Sequence, residues 1–421
     1  MKEYLDRLPE DIKKVISLAS GIALEEKMNI YLVGGFVRDL LLKTRNLDLD
    51  IVVEGDGIKL ASSFASLSAG RITRHHRFGT ATVFLKPHLK IDISTARREY
   101  YPAPAHLPVV SPGSLKDDLC RRDFTINAMA IDISKPGFGR LIDYFGGRQD
   151  LRRGYIRVLH DNSFVDDPTR ILRSVRFQQR YNFKIEPGTL KKLKEALRLG
   201  MLEKVQPQRI RDDLILMLKE TDPLGQVRRL KALSGLSFIH PRLSVDKKTI
   251  ELLRKIEREI KWFRKAHPAR RALDNWLIYF MGLLDGLPLK EASAVCRRLV
   301  LRNGEEKRVH SYKKISRPFL SKLSGKRIKP SQVFSMLEPL SYEVLIILRA
   351  KYRNPGFKKR LDDFFRTYNG MRIHVNGDDL RMLGIKPGPR YQKIFWEVLK
   401  SKLDGEVKSK EEELALIRRM L

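Results

Sequence analysis

Cysteine is nearly absent from this 421-residue chain: Cys120 and Cys296 are the only two. That scarcity excludes a disulfide framework and a thiolate zinc site. Long apolar runs are missing as well, since no stretch nears the roughly 18 uninterrupted apolar residues of a membrane span. The segment MKEYLDRLPEDIKKVISLAS at the start is charged throughout and holds no apolar signal core. The expected address is therefore the cytoplasm, with no membrane partner. Acidic residues are also short: 50 Asp+Glu against 83 Lys+Arg leave a net charge of +33. An excess of that size argues against a basic partner and points to a polyanion, either nucleic acid or an anionic surface. Thermophile-like surfaces are the rival explanation, but there Lys and Glu rise together. Here the bases rise alone. Hydrophobic residues at 42% and aromatics at 8% exclude a disordered chain, and the length suits two to four domains.

What is present changes character along the chain. Ile12 to Lys27 has helical periodicity and leads to the apolar run Ile30-Tyr31-Leu32-Val33, closed by Gly34-Gly35. Phe36 to Lys43 is helix-like again. Leu47 to Val53 alternates and then turns apolar, which predicts a strand. Thr80–Leu85 and Lys90–Ser94 predict two more, joined around Pro87, and Ser114 to Leu119 starts another helix. This half is α+β. From about residue 165 the pattern is long helices with Lys and Arg outward and no convincing strands, so boundaries are expected near 150, 220 and 330. Tyr101 to Gly113 carries four prolines, which forbid helix and central strand and predict an extended, exposed loop.

Asp48 and Asp50 stand two apart on a predicted strand, so both carboxylates leave the same face. Two such groups repel unless a cation lies between them, and hard oxygen ligands suit Mg²⁺. Alone, the pair also describes a solvated strand face. The strand–Gly34-Gly35–helix unit before it offers backbone N–H groups to a phosphate, and Arg38 adds charge; the same two glycines also make a plain tight turn. Asp92, on a later predicted strand, is a candidate third carboxylate for metal or for the attacking hydroxyl, or else a surface Asp at a strand end. Arg122 can pair with phosphate, Asp123 can accept from ribose hydroxyls and Asn127 can bond both ways, although Arg121-Arg122-Asp123 alone is a common charged turn. Asp167-Pro168 reads as a helix start. Asp167 and Arg170, one turn apart, can also read a base edge: the carboxylate accepts an exocyclic amino group and the guanidinium donates to the ring. That combination selects C and A over U and G. Arg173 and Arg176 continue at a spacing of three, which spirals round a helix and predicts that they face the site unequally.

Four segments, in this order and spacing, resemble the class II tRNA nucleotidyltransferases and their poly(A) polymerase relatives. They are Tyr31-Leu32-Val33-Gly34-Gly35-Phe36-Val37-Arg38-Asp39 with Asp48-Leu49-Asp50, Arg121-Arg122-Asp123-Phe124-Thr125-Ile126-Asn127-Ala128, Asp143-Tyr144-Phe145-Gly146-Gly147 and Asp167-Pro168-Thr169-Arg170. Gln208 to Leu214 is similar to a fifth motif, and Gly377 to Leu380 and Leu383 to Pro389 are similar to tail segments of bacterial members. The resemblance implies a polymerase-β-like α+β head with a small mixed sheet over residues 1–150. A helical neck over 151–220 would recognise the base, a helical body would cover 221–330 and a helical tail over 331–421 would bind tRNA. It implies that Asp48 and Asp50 hold Mg²⁺, that Gly34, Gly35, Arg38 and Arg122 contact the nucleotide, and that Asp123 helps select ribose. Asp143 with Gly146 and Gly147 would form a hinge. Asp167 and Arg170 would be the protein template for CTP and ATP, with Arg173 and Arg176 near the triphosphate. Asp166 stands where many members have Glu.

The activity implied is template-independent addition of CMP and AMP, at least the terminal AMP, to the 3′ end of tRNA, with pyrophosphate leaving. Its partners are the tRNA acceptor arm, ATP and CTP; nothing in the pattern specifies an oligomeric state. An enzyme adding only A to tRNA ending in CC, or a poly(A) polymerase, fits the same residues. A non-catalytic RNA-binding protein fits the charge but leaves the full carboxylate and arginine set without a use. The Pro-rich loop stands where CC-only enzymes are shortened, which argues against that specificity. Basic helices such as Arg254 to Lys265 and Lys307 to Lys314 would meet RNA phosphates.

Overall fold

A computed structural model describes residues 1–44, 48–85, 89–325 and 327–421. Leu47, at the start of one predicted strand, and the turn at Pro87 lie outside the described residues. The chain divides into two compact units, Met1–Asp222 and Pro223–Leu421.

In the first unit the strands are β1 Asn29–Val33, β2 Leu49–Glu54, β3 Arg71–His75, β4 Thr80–Leu85, β5 Leu89–Thr95, β6 Arg97–Tyr100, β7 Val109–Pro112, β8 Ala130–Asp132, β9 Leu141–Ile142, β10 Tyr155–Ile156 and β11 Lys184–Ile185. The helices are α1 Lys2–Asp6, α2 Glu10–Glu25, α3 Gly35–Leu41, α4 Gly57–Leu67, α5 Leu115–Cys120, α6 Gly147–Arg153, α7 Ser163–Asp166, α8 Thr169–Tyr181, α9 Pro187–Arg198 and α10 Pro207–Leu218. Among the described residues the main sheet runs β3-β4-β5-β2-β1-β8-β9. It is mixed: β2 and β5 pair in parallel, and every other neighbouring pair is antiparallel.

The two-residue period decides what each face does. Leu49, Ile51 and Val53 point one way and are fully or almost fully buried, as are Ile91 and Ile93 beside them. α4 packs against β4 and β5 on the sheet and α2 packs against α4, and α4 is started by Asp56, which accepts the N–H groups of Ile58 and Lys59 at 3.0 Å. Truncating Ile51 to Ala would leave a cavity and cost about 2–5 kcal/mol. The opposite face carries Asp50 and Val52. There Tyr31, Val33, Val52 and Ala130 join Leu115 and Leu119 of α5 in a second cluster. Asp50 thus stands on the face that α5 only partly covers.

Two sequence readings change. The Pro-rich segment is more than an exposed loop: β7 pairs antiparallel with β6 in a hairpin, and Ala105 is buried with its N–H donated to Val165 C=O at 3.0 Å. A two-stranded ribbon has only edges, so it tolerates the proline that a central strand refuses. Among the described residues beyond 165 there is one short strand, β11, parallel to β10. Two residues are too few for a periodic signal.

The second unit is helical. Its helix Lys247–Ala266 exposes Arg254, Arg258, Lys261 and Lys265 and buries Leu253, Ile256, Ile260 and Phe263. In Asn303–Lys313, Lys313 turns inward and donates to the carbonyls of Leu284 and Asp285 at 3.1 and 2.9 Å, so it is not among the outward charges expected there. Helices Gly377–Met382 and Pro389–Leu403 flank the turn holding Gly384 and Pro387, over a small core of Leu380, Ile385, Ile394, Val398 and Ile417. Among the described residues no helix is long and apolar enough to cross a membrane.

Candidate active site

A cavity of about 670 Å³ opens in the first unit. Gly34, Gly35, Arg38, Asp48, Asp50, Arg122, Asp123, Asn127, Asp167, Arg170, Arg173 and Arg176 all line it. These twelve positions come from four separate stretches of chain, and the fold brings them to one hollow. Asp92 is the exception. It pairs in register with Asp50 across β2 and β5 but lines an adjoining cavity of about 300 Å³, which shares Asp50 and Arg122 with the first. There its carboxylate accepts from Thr82 Oγ1 at 2.6 Å and from Lys90 Nζ.

The turn after β1 explains the double glycine. Gly34 has φ +72, a left-handed conformation costly for other residues, and a Cβ there would meet Arg122 Nη1 at 2.7 Å and Asp50 Oδ2 at 3.5 Å. Removing the side chain lets the backbone approach the carboxylate and the guanidinium together. Arg122 in turn gives Nη2 to Asp118 at 2.8 Å, while its buried Nε has no partner among the described residues. A largely buried cation with an unused donor suits an anion such as phosphate.

Burial pushes Asp50 up to about 6; Arg122 opposes the shift, and Asp92 and Asp48 add to it. A divalent cation would relieve that pressure. Among the described residues no group of three or more His, Cys, Asp and Glu side chains is placed to hold a metal. Two carboxylates with the remaining positions left to water and phosphate oxygens are what Mg²⁺ accepts, so Asp48 and Asp50 fit it.

Behind the arginines runs a buried chain of hydrogen bonds. Tyr181 Oη donates to Asp39 at 3.1 Å, Arg38 Nε donates to Asp39 at 2.8 Å, and Arg38 Nη1 donates to Asn127 Oδ1. Asn127 Nδ2 then donates to Asp123 at 2.8 Å, and Arg173 gives Asp123 two bonds of 2.8 and 2.6 Å. Counting the Phe124 N–H, Asp123 already accepts four hydrogen bonds. Burial would raise its pKa, but Arg173 and the bonds from Asn127 and Arg173 hold it down at about 2. Asp123 thus organises its neighbours and presents no spare acceptor in this state.

Along α8, Arg170, Arg173, Arg176 and Arg180 line the same cavity with Phe177. Unequal facing was the expectation, because each step of three turns back by about 60°. The facing is unequal, since the side chains of Arg173 and Arg180 are 34% and 47% exposed against 9% for Arg176. All reach the cavity, and Phe177 gives some of them a common platform: Arg38, Arg173 and Arg176 lie over its ring at 5.3, 5.8 and 5.0 Å. Asp167 caps α8 by accepting Thr169 N–H at 3.1 Å, and it also accepts Arg209 Nη2 at 2.7 Å. Arg170 donates Nη2 to the Arg121 carbonyl at 2.7 Å. Asp143 accepts the N–H groups of Gly147 and Arg148 at 2.8 and 2.9 Å and so caps α6.

Sequence reasoning passed over Glu99 and Asp118. Asp118 is fully buried and takes Arg121 and Arg122, three and four residues on, along one helix turn; that spacing was a readable signal. Glu99 ties Arg97 and Arg121 together at 2.9 and 3.1 Å from the hairpin strand, and nothing local announces it. Arg180 and the Arg209–Asp167 pair were likewise visible only once α8 and α10 had packed.

Residues 30–157 match the family model described as the poly A polymerase head domain. An A-adding tRNA nucleotidyltransferase of Geobacter sulfurreducens is 38% identical over 403 residues, covering 94% of this chain and 46% of that protein. One of Halalkalibacterium halodurans is 32% identical over 427 residues, covering 98% of this chain and 93% of that protein. The chain therefore spans under half the length of the first relative. Among solved structures, a CCA-adding enzyme in its apo form II matches with a TM-score of 0.77 at 36% identity, covering 100% of this chain and 98% of that one. CCA-adding enzyme complexes with ATP, with CTP and, from Thermotoga maritima, with tRNA match at TM-scores of 0.73, 0.73 and 0.72.

Proposed function

This chain belongs to the tRNA nucleotidyltransferase family, and from that premise we propose that it adds nucleotides without a template to the 3′ end of tRNA. The substrates are CTP and ATP, at least for the terminal AMP, and pyrophosphate leaves. One observation carries the reading: a single cavity has Asp48 and Asp50 in its wall together with Asp167 and Arg170. A nucleotide whose triphosphate lies against the first pair thus has its base within reach of the second.

Family membership implies use of a divalent metal, and the two hard carboxylates make Mg²⁺ the choice. Bound between Asp48 and Asp50, it would lower the pKa of the attacking hydroxyl and neutralise charge on the phosphates. Arg122, with its unused Nε, would hold the triphosphate, and Arg176 and Arg180 would extend that positive wall. Gly34 and Gly35 would let the nucleotide come against backbone. Asp123 would act on the ribose through Asn127 and Arg173, which it holds in place. Asp92 would serve the incoming 3′ hydroxyl from the adjoining cavity. Asp167 and Arg170 would accept from and donate to the base edge, favouring C and A. The protein's main contribution is to position two reactants.

The working division keeps a catalytic head at 1–150, a neck at 151–220, a body at 221–330 and a tRNA-binding tail at 331–421, in the cytoplasm. Incubation with tRNA lacking its end, tRNA ending in CC, or oligo(A), each with CTP or ATP alone, tests the reading. C incorporation on the trimmed tRNA and A incorporation on the CC end are expected. A product only from ATP on the CC end narrows the activity to A addition, and extension of oligo(A) replaces it with poly(A) synthesis. No product on any substrate overturns catalysis.

A further inference from the structure

Arg170 is almost completely buried, and its guanidinium is held at two points. One is the Arg121 carbonyl, at 2.7 Å from Nη2. The other is a side chain outside the motifs: His160 Nε2 lies 3.4 Å from Arg170 Nη1. An arginine has donors only, so the contact is a hydrogen bond only if His160 Nε2 accepts. That places the imidazole proton on Nδ1, and Nδ1 lies 3.9 Å from the carboxylate of Asp166.

We propose that His160, in its neutral Nδ1-protonated form, is a positioning residue that aims Arg170 at the nucleotide base, with Asp166 selecting the tautomer from behind. The inference rests on Arg170 reading the base and goes beyond it, because it makes nucleotide choice depend on the charge of a residue that does not touch the nucleotide. A second proton on His160 removes the acceptor and sets two cations face to face. The surroundings hold the ring neutral: burial and the Arg170 charge keep its pKa below the ordinary imidazole value, and Asp166 and Asp161 oppose them. Asp161 is itself drawn towards Lys192 of α9 at 3.1 Å, which weakens its pull on the ring. On the α7 side Asp166 is shifted upward by burial, against the influence of His160 and Arg170. Arg170 on α8, Asp166 on α7 and Asp161 are the charged groups that act on the ring.

The test measures single-nucleotide incorporation on tRNA ending in CC, with ATP against GTP, across pH 5 to 8. His160→Gln places a neutral acceptor near the former Nε2; His160→Phe keeps a ring and removes it. The Phe variant should lose about tenfold in the ATP-to-GTP ratio, the size expected for one hydrogen bond to a charged group. The Gln variant should stay within about twofold of the parent. In the parent the ratio should fall as acid protonates His160, whereas the Gln variant should hold a flat ratio. Thermal melts check folding, and the Gln pH profile decides the matter where the Phe variant is unstable. Arg170→Ala separates the two ideas. If it abolishes nucleotide choice while the Phe variant keeps the parent ratio, or the Gln variant keeps the parent's acid limb, His160 does not position Arg170. If Arg170→Ala leaves choice intact, base reading by Arg170 is wrong and the His160 role falls with it.

Discussion

The cavity of the first unit and the long basic helix of the second use charge in opposite ways. In the first, Arg38, Arg170 and Arg176 are 4%, 3% and 8% exposed and are built into hydrogen-bond or ion-pair partners around one cavity. In the second, the cations of Lys247–Ala266 stand in solvent along one helix face while the opposite face fills a core. Burying a cation is costly unless every donor has a use, so each of these buried arginines answers to a particular geometry. An exposed lysine answers only to the total charge. The difference teaches where substitution will act on chemistry, where on stability and where on affinity alone.

The largest effect belongs to Asp50→Ala. Incorporation should fall about a thousandfold or more, because the variant loses half of the carboxylate pair that would stabilise the charge developing on the phosphates. tRNA affinity, measured by filter binding, should stay within about twofold of the parent, in keeping with Debye screening of one distant charge. Equal losses in both would break the comparison, since the cavity would then carry RNA binding as well.

Next is Arg173→Ala, which strands the Asp123 carboxylate at 7% exposure. Removing one partner of a buried pair costs about 3–5 kcal/mol, to be read from urea midpoints. The pair also gives a sign in pH. Asp123 is depressed from 3.8 to about 2, so its contribution is complete above the unfolded value and is lost as pH falls from there towards 2. The parent's urea midpoint should drop over that window, and Asp123→Asn should flatten the drop.

The second unit has its own buried carboxylate, which sharpens the contrast. Glu343 has no exposed surface and takes Arg271 Nη1 and Nη2 at 2.8 and 2.9 Å and the Asp274 N–H at 3.1 Å. Burial opposes its ionisation, but the bonds from Arg271 and the Asp274 N–H hold it at about 2. Its main partner Arg271 is half exposed, and a second, Arg308 at 3.3 Å, is 23% exposed, so Glu343→Gln leaves cations that water can reach. The expected loss is about 1–2 kcal/mol, less than for Arg173→Ala, with incorporation per folded molecule unchanged. A larger loss than that of Arg173→Ala would mean that burial of the partner does not set the cost.

Legibility followed the same division. Asp48, Asp50 and the Gly34 turn could be read because a strand's period and a positive φ leave marks within a few residues. The mixed order of the sheet left no such mark, since the pairing of β2 with β5 spans a helix and two strands. Arg176 reaches the same cavity as Arg170 and Arg173, as its place in the motif suggested, and the spiral of the helix shows in how unequally these arginines are exposed. Glu99 and His160 act through partners that only packing delivers, whereas the i+3 and i+4 arginines of Asp118 were legible and passed over. In the second unit the basic faces were readable as a sum, yet Lys313 shows that a single lysine in such a run can be spent inside the fold.

The smallest effect tests that sum. Arg254, Arg258 and Lys261 share the exposed face of Lys247–Ala266, and the pairing of Lys261 Nζ with Glu257 at 2.6 Å already offsets one charge. If RNA lies on this face, each single change to Gln should weaken tRNA binding by less than about threefold and reduce the salt slope by about one or less. Lys261→Gln should do least, because its neutralised pair releases fewer counterions. The triple variant should show the product of the three losses, and its single-turnover rate at saturating tRNA should match the parent. Binding that stays unchanged in the triple variant would move the RNA footprint elsewhere on the basic surface. A lower chemical rate would show instead that this helix reaches the cavity's function, and the division between paired, buried arginines and summed, exposed ones would fail.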